Sequence, residues 1–167
     1  MREFTVTLVD DSPERAEAVA FFSQLKRPIR AKSVLPPEID SMNFDDAQLF
    51  LDRNPQQERW SLLRIFPEDN VLDDDLHRLE YLPELSRVCL HGVGNGALLH
   101  LRHLKHLVGL VVYSSAITDD SLIHLHNLKS LRTIDFQGSP NITGAAFMSV
   151  VDTLPLIERS YPPQDRA

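Results

Sequence analysis

Seven histidines and one cysteine are the side chains best suited to chemistry in this chain of 167 residues. His100, His103 and His106 stand three apart, and His124 and His126 follow about two dozen residues on. Zinc needs ligands that converge tetrahedrally, and a usable helical pair is three or four residues apart. A longer run at threes drifts around a helix, and these histidines alternate with leucines. They read as a solvated face, and no metal site is expected. The acidic run Glu68-Asp69 with Asp73-Asp74-Asp75 invites calcium. It lacks the mid-loop glycine and the closing glutamate of an EF-hand loop, so a helix start beside a solvated turn explains it better. No glycine-rich phosphate loop, G-x-S-x-G elbow or H-E-x-x-H occurs. Cys89 is a lone thiol with nothing in the sequence to activate it. The chain is therefore expected not to be an enzyme and to carry no cofactor.

Charge and composition narrow the partners. Counting 17 Lys and Arg against 24 Asp and Glu gives a net charge of −7. An acidic chain repels phosphate backbones, so nucleic acid is not the expected partner. A single cysteine cannot close an intrachain disulfide, which fits a reducing compartment. Met1-Arg2-Glu3-Phe4 is no basic leader ahead of an apolar run, and no apolar stretch reaches the length of a membrane span. A soluble cytoplasmic protein with no membrane partner is the expectation.

The elements that would position these side chains come from internal self-similarity. Leu122, Leu125, Leu128, Leu131, Ile134 and Phe136 form one ladder. The same ladder stands 24 residues earlier as Leu98, Leu101, Leu104, Leu107, Leu110 and Val112. It stands 46 residues earlier as Leu76, Leu79, Leu82, Leu85, Val88 and Leu90, and 25 residues later begins again at Phe147 and Val150. Each copy ends in alternation, as in Val88-Cys89-Leu90 or Trp60/Leu63/Ile65, which is the period of a strand with one buried face. The stretch before it, such as Asp119 to Asn127, has apolar residues at three- and four-residue steps and predicts a short helix. Asp73 and Asp119 are placed to cap those helices. One strand and one helix cannot bury their apolar faces alone, whereas stacked copies close a continuous core.

The pattern resembles the leucine-rich-repeat family, in particular its ribonuclease-inhibitor-like and cysteine-containing varieties with an I-T-D-x-x-L helix start. Ile117-Thr118-Asp119-Asp120-Ser121-Leu122 matches that start, Val71-Leu72-Asp73 and Ile142-Thr143-Gly144 match it partly, and Val93-Gly94-Asn95-Gly96 departs from it. Where the family has Asn or Cys after the strand, this chain has Glu68, Val93, Ser115 and Ser139. The resemblance implies an α/β solenoid with parallel strands on its concave face and short helices on its convex face. The resemblance covers about residues 60–157, and the solenoid is expected over 60–159, ahead of a disordered tail at 160–167.

Residues 1–59 alternate strand and helix and read as an α/β N-terminal cap of degenerate repeats. Phe4 to Val9 and Ile29 to Leu35 predict strands, and Phe44 to Arg53 predicts a helix. Ser12-Pro13-Glu14 is a helix start, with Ser12 as cap and Pro13 first, and the helix runs to Lys26 before Pro28. A second reading comes from Leu8-Val9-Asp10-Asp11-Ser12-Pro13, which is similar to the start of receiver domains of two-component signalling. Asp10 and Asp11 would then hold Mg²⁺ and Asp52 would accept the phosphoryl group, making this a signalling protein with a degenerate receiver-like start. No later hydroxyl or lysine positions of that family have a counterpart.

The leading expectation is a non-catalytic interaction module or assembly adaptor that binds a protein on the concave face. Strand alternation turns Arg64, Cys89, Val111 and Asp135 outward in one row, and Phe66, His91, Tyr113 and Gln137 in the next. Leu62, Arg87, Gly109 and Thr133 flank them. Aromatic and arginine side chains carry most of the binding energy at protein interfaces. Phe66, Tyr113, Arg64 and Arg87 are accordingly the expected anchors.

Overall fold

The computed structural model describes residues 12–25 and 62–164. They form a mixed α/β structure around a five-stranded sheet, β1 (Leu62–Ile65), β2 (Arg87–His91), β3 (Gly109–Tyr113), β4 (Thr133–Asp135) and β5 (Arg159–Tyr161). Every strand pairs in parallel with the next one in sequence. Leu62, Arg87, Gly109, Thr133 and Arg159 are successive register partners, so one pass of chain from strand to strand takes 25, 22, 24 or 26 residues.

The connections return along one face of this sheet. They are 3-10 helices at Pro67–Asp69, Asp73–Tyr81, Leu101–His103 and Asp119–Leu125, with α-helices at Asn95–His100 (α2) and Gly144–Val151 (α3). The tight 3-10 winding departs from the α-type helices that the sequence suggests at Asp73 and Asp119. Its reason is the leucine spacing. Leu76 and Leu79 stand three apart, and a helix of three residues per turn puts both on one side, with Leu82 and Leu85 continuing the spacing beyond its end. Equivalent turns then close alike, with amide-to-carbonyl bonds from Leu85 to Leu82, Leu107 to Leu104 and Leu131 to Leu128, each 3.1 Å. Leu85, Leu107 and Leu131 are wholly buried in a single core with Val88, Leu110 and Ile134. Burying each such side chain contributes roughly 1.5–3 kcal/mol relative to leaving it in water.

Side chains tie one pass to the next along the helix side. Asp73 and Asp119 do not cap their own helices. Asp73 Oδ1 accepts from the amide of Gly94 at 2.8 Å, and the Asp119 carboxylate accepts from the amide and hydroxyl of Thr143 at 2.7 and 2.8 Å. Between them Asn95 accepts from the Thr118 amide at 2.8 Å, so the segment that departs from the I-T-D pattern fills the same role with an amide. The own-helix amides are met from downstream instead: Asp75 accepts from Leu72 and Asp69 from Phe66.

Helix α1 (Pro13–Ser23) starts as expected, with Pro13 first and Ser12 Oγ accepting from the Arg15 amide, but ends at Ser23 instead of Lys26. It packs on the 3-10 helix Asp73–Tyr81 through Ala18 and Phe22, both fully buried. Arg15 locks the contact by donating to the Tyr81 carbonyl at 2.7 Å and to both Glu84 oxygens at 3.0 and 2.5 Å. Arg78 lies 4.4 Å over the Phe21 ring from the other side. The expected strands at Phe4–Val9 and Ile29–Leu35, the helix at Phe44–Arg53 and the receiver-like Asp10, Asp11 and Asp52 lie outside the described residues.

Strand β5 corrects the chain end. Residues 160 and 161, assigned from sequence to a disordered tail, belong to a paired strand, and Pro163 is buried. The signal was hidden because Ser160 stands where earlier passes have Val88, Leu110 and Ile134.

Candidate functional site

The side chains that point away from the helices line up in rows across the sheet. Arg64, Cys89, Val111, Asp135 and Tyr161 are register partners along one row, and Leu62, Arg87, Gly109, Thr133 and Arg159 along its neighbour. His91 pairs with Tyr113 in a third row. Parallel pairing in unbroken register places equivalent residues of adjacent strands side by side, about 4.8 Å apart. Of the expected outward residues, Arg64, Cys89, Val111 and Asp135 thus share one row, Arg87 stands in its neighbour, and His91 and Tyr113 are side by side in the third.

At its centre is an aromatic stack across β1 to β3. Phe66 and His91 stack with ring centroids 4.9 Å apart and planes 25° from parallel, and His91 meets Tyr113 at 5.0 Å and 36°. Polar contacts fasten the stack at its middle and at its Tyr113 end. Cys89 Sγ lies 3.2 Å from His91 Nε2, two residues along the same strand and on the same face. Tyr113 donates its hydroxyl to Asp135 Oδ2 at 3.2 Å, and Asp135 Oδ1 accepts from the Gln137 amide at 2.9 Å. Behind Tyr113 stands Gly138, and a Cβ there would meet the Tyr113 ring at 1.9 Å. The absence of a side chain at 138 is what lets the ring lie flat.

Burial corrects part of the expected surface. Arg87 is 4% exposed, Cys89 3% and Val111 6%, so these three do not face solvent. Alternation reports the direction in which a side chain leaves the strand but not what lies over it. Arg87 runs across Gly109, with its Nη1 3.3 Å from where a Cβ would stand, and is held in the sheet surface by that gap. The Cys89 thiol is taken up by the His91 ring. Arg64, Phe66, His91, Tyr113 and Asp135 remain partly exposed, and Gln137 is open.

The titrating groups follow their surroundings. Burial, then the neighbouring Asp135 carboxylate, pushes the Tyr113 phenol up to about 12. Burial and the positive charge of Arg64 hold His91 below the usual imidazole value, against a weaker opposing pull from Glu68. At neutral pH the site thus presents a neutral phenol and a neutral imidazole beside the side chains of Arg64 and Asp135. Such a surface can stack, donate and accept hydrogen bonds, and pair charges.

Elsewhere the candidate chemistry does not assemble. Among the described residues no three His, Cys, Asp or Glu side chains are placed to hold a metal. His103, His124 and His126 are half-buried and His106 exposed. His126 bonds Thr153 and His103 receives a bond from Arg102, so they serve separate surface contacts. Asp69 and Asp75 are committed to the Phe66 and Leu72 amides instead of converging on a cation. No helix among the described residues is long and apolar enough to cross a membrane.

Two serines organise the strand ends, Ser139, which the sequence placed after its strand, and Ser114, which sequence reasoning passed over. The structural position after β3 belongs to Ser114, not Ser115: Ser114 Oγ donates to the Val93 carbonyl at 2.5 Å and accepts from the Ala116 amide. Ser139, fully buried, donates to the Val112 carbonyl at 2.9 Å and accepts from the Ser114 amide at 3.2 Å. Their 25-residue separation was the available signal. No protein-family model matches this chain, and no curated protein matches it.

Proposed function

We propose that this chain is a non-catalytic binding module of leucine-rich-repeat type, a cytoplasmic adaptor that takes a protein partner on the sheet face described above. The observation that carries this reading is the stack Phe66–His91–Tyr113, set at the ends of three adjacent parallel strands and still partly exposed. Rigid aromatic side chains supply contact area with little conformational entropy left to lose, which is what an interface anchor requires. Arg64, Asp135 and Gln137 border the stack with one positive, one negative and one neutral polar group, giving it an orientation for a partner to match. Strand offsets of 22 to 26 residues and the buried leucine ladder support a solenoid that would keep this face straight.

Arg87, Cys89 and Val111 support the face from within and are not contact residues in this reading. The test is affinity capture with identification of the bound protein, followed by titration of the purified partner against variants. Phe66→Ala and Arg64→Ala should each weaken binding at least about tenfold, the loss of a typical interface anchor. A melting temperature near that of the parent chain would show the fold intact. Binding unaltered in both variants would end the proposal.

A further inference from the structure

Strand β5 is the last in the sheet, and among the described residues it has β4 on one side and no strand on the other. Its inner hydrogen bonds are made: Arg159 donates its amide to the Arg132 carbonyl at 3.0 Å, and the Tyr161 carbonyl accepts from the Phe136 amide at 2.9 Å. Backbone groups of successive strand residues turn to opposite sides, so the amide and carbonyl of Ser160 point outward. Arg159 and Tyr161 are exposed and share the sheet face that carries Thr133 and Asp135, Tyr161 at 39%. Leu156, three residues before the strand, is 48% exposed.

We infer that this edge pairs with a second copy of the chain, β5 against β5 and antiparallel, about a two-fold axis through Ser160. The edge is complementary to itself. With Ser160 opposite Ser160 of the second copy, the two residues exchange both N–H···O bonds, the hydrogen-bonded pair of an antiparallel ladder. Arg159 then stands opposite Tyr161 of the second copy, and the reverse holds across the axis. A guanidinium over a phenol ring is an attractive pair, and it occurs twice. Asp135, the register partner of Tyr161, extends the same row with a carboxylate towards the incoming arginine. Two five-stranded sheets join into one.

The prolines decide the extent. Pro162 and Pro163 follow the strand at once. Proline has no amide to donate, so the ladder cannot lengthen beyond the central residues. A pairing about its own two-fold uses the same edge on both copies, so it closes at two molecules.

The experiment is sedimentation equilibrium of the full chain over a roughly thousandfold concentration range, because self-association follows mass action. A concentration-dependent dimer is expected. Ser160→Pro removes the one outward amide and no inward one, a substitution an edge strand tolerates. It should weaken the dimer at least about tenfold while the dilute protein keeps its melting temperature. Ser160→Cys gives an independent readout. Directly opposed residues of this kind have Cα atoms about 5.5 Å apart, within the range a disulfide spans. Mild oxidation should therefore produce covalent dimers. The parent chain, whose only cysteine is buried, and Asp152→Cys on the exposed helix end should not produce them. A monomer at every concentration overturns the inference. So does a dimer that Ser160→Pro leaves intact and Ser160→Cys fails to cross-link.

Discussion

Replacing Gly138 with alanine tests the site's construction with a single methyl group. The added Cβ would lie 1.9 Å from Tyr113 Cδ1 and under 3 Å from two further ring carbons, so the ring must leave its place. Gly138 is not among the residues with positive φ, so the backbone itself accepts alanine without strain. The cost is then that of losing the ring's contacts. The tilted contact with His91 is worth about 1 kcal/mol. The bond to Asp135, discounted because both groups reach solvent, adds about 1 kcal/mol. The sum of about 2 kcal/mol lowers the melting temperature by roughly 4–8 °C for a chain of this size. Urea unfolding measures the loss. Spectrophotometric titration of the tyrosines reports the displaced ring directly, because the phenol held at about 12 should fall toward the ordinary value of 10. In a Tyr113→Ala background the same glycine substitution should cost almost nothing, since no ring is left to displace. Equal cost with and without the tyrosine, or an unchanged titration, would refute the packing argument.

Other expectations follow from the same contacts. The folded His91 ring prefers its neutral form, with a value depressed below 6.5, so its contribution is present above that pH and is lost as the pH falls. Denaturant unfolding should show the parent chain losing more stability than His91→Phe between neutral pH and pH about 5, and equal losses would contradict the assignment. Ser139→Ala strands the buried Ser114 amide and Val112 carbonyl and should cost about 1–3 kcal/mol by urea unfolding. Asp119→Ala removes the acceptor of the Thr143 amide and hydroxyl, for about 1 kcal/mol. Faster hydrogen exchange at the Thr143 amide would locate that loss.

What the sequence alone determined is the part governed by period. Apolar residues at three- and four-residue steps, followed by alternation, must hide one side of a short helix and one side of a strand, although the 3-10 winding of those helices was not foreseen. Copies of that pattern about two dozen residues apart can do so only against each other, and Leu76 to Ile134 are buried together accordingly. The rows of the outward face followed from the same period, because register in a parallel sheet carries equivalent residues onto adjacent strands. Tertiary structure decided what lies between passes. Whether Asp119 caps its own helix or reaches Thr143 depends on a neighbour 24 residues away. Arg87 is buried across Gly109, and Tyr113 lies flat because position 138 has no side chain, both contacts between strands and not along them. Strand β5 was concealed by a serine at an apolar position and revealed by its pairing with β4. A residue's periodicity states which way it points; only the residues packed against it settle whether it touches water, a hydrogen-bond partner or a ring.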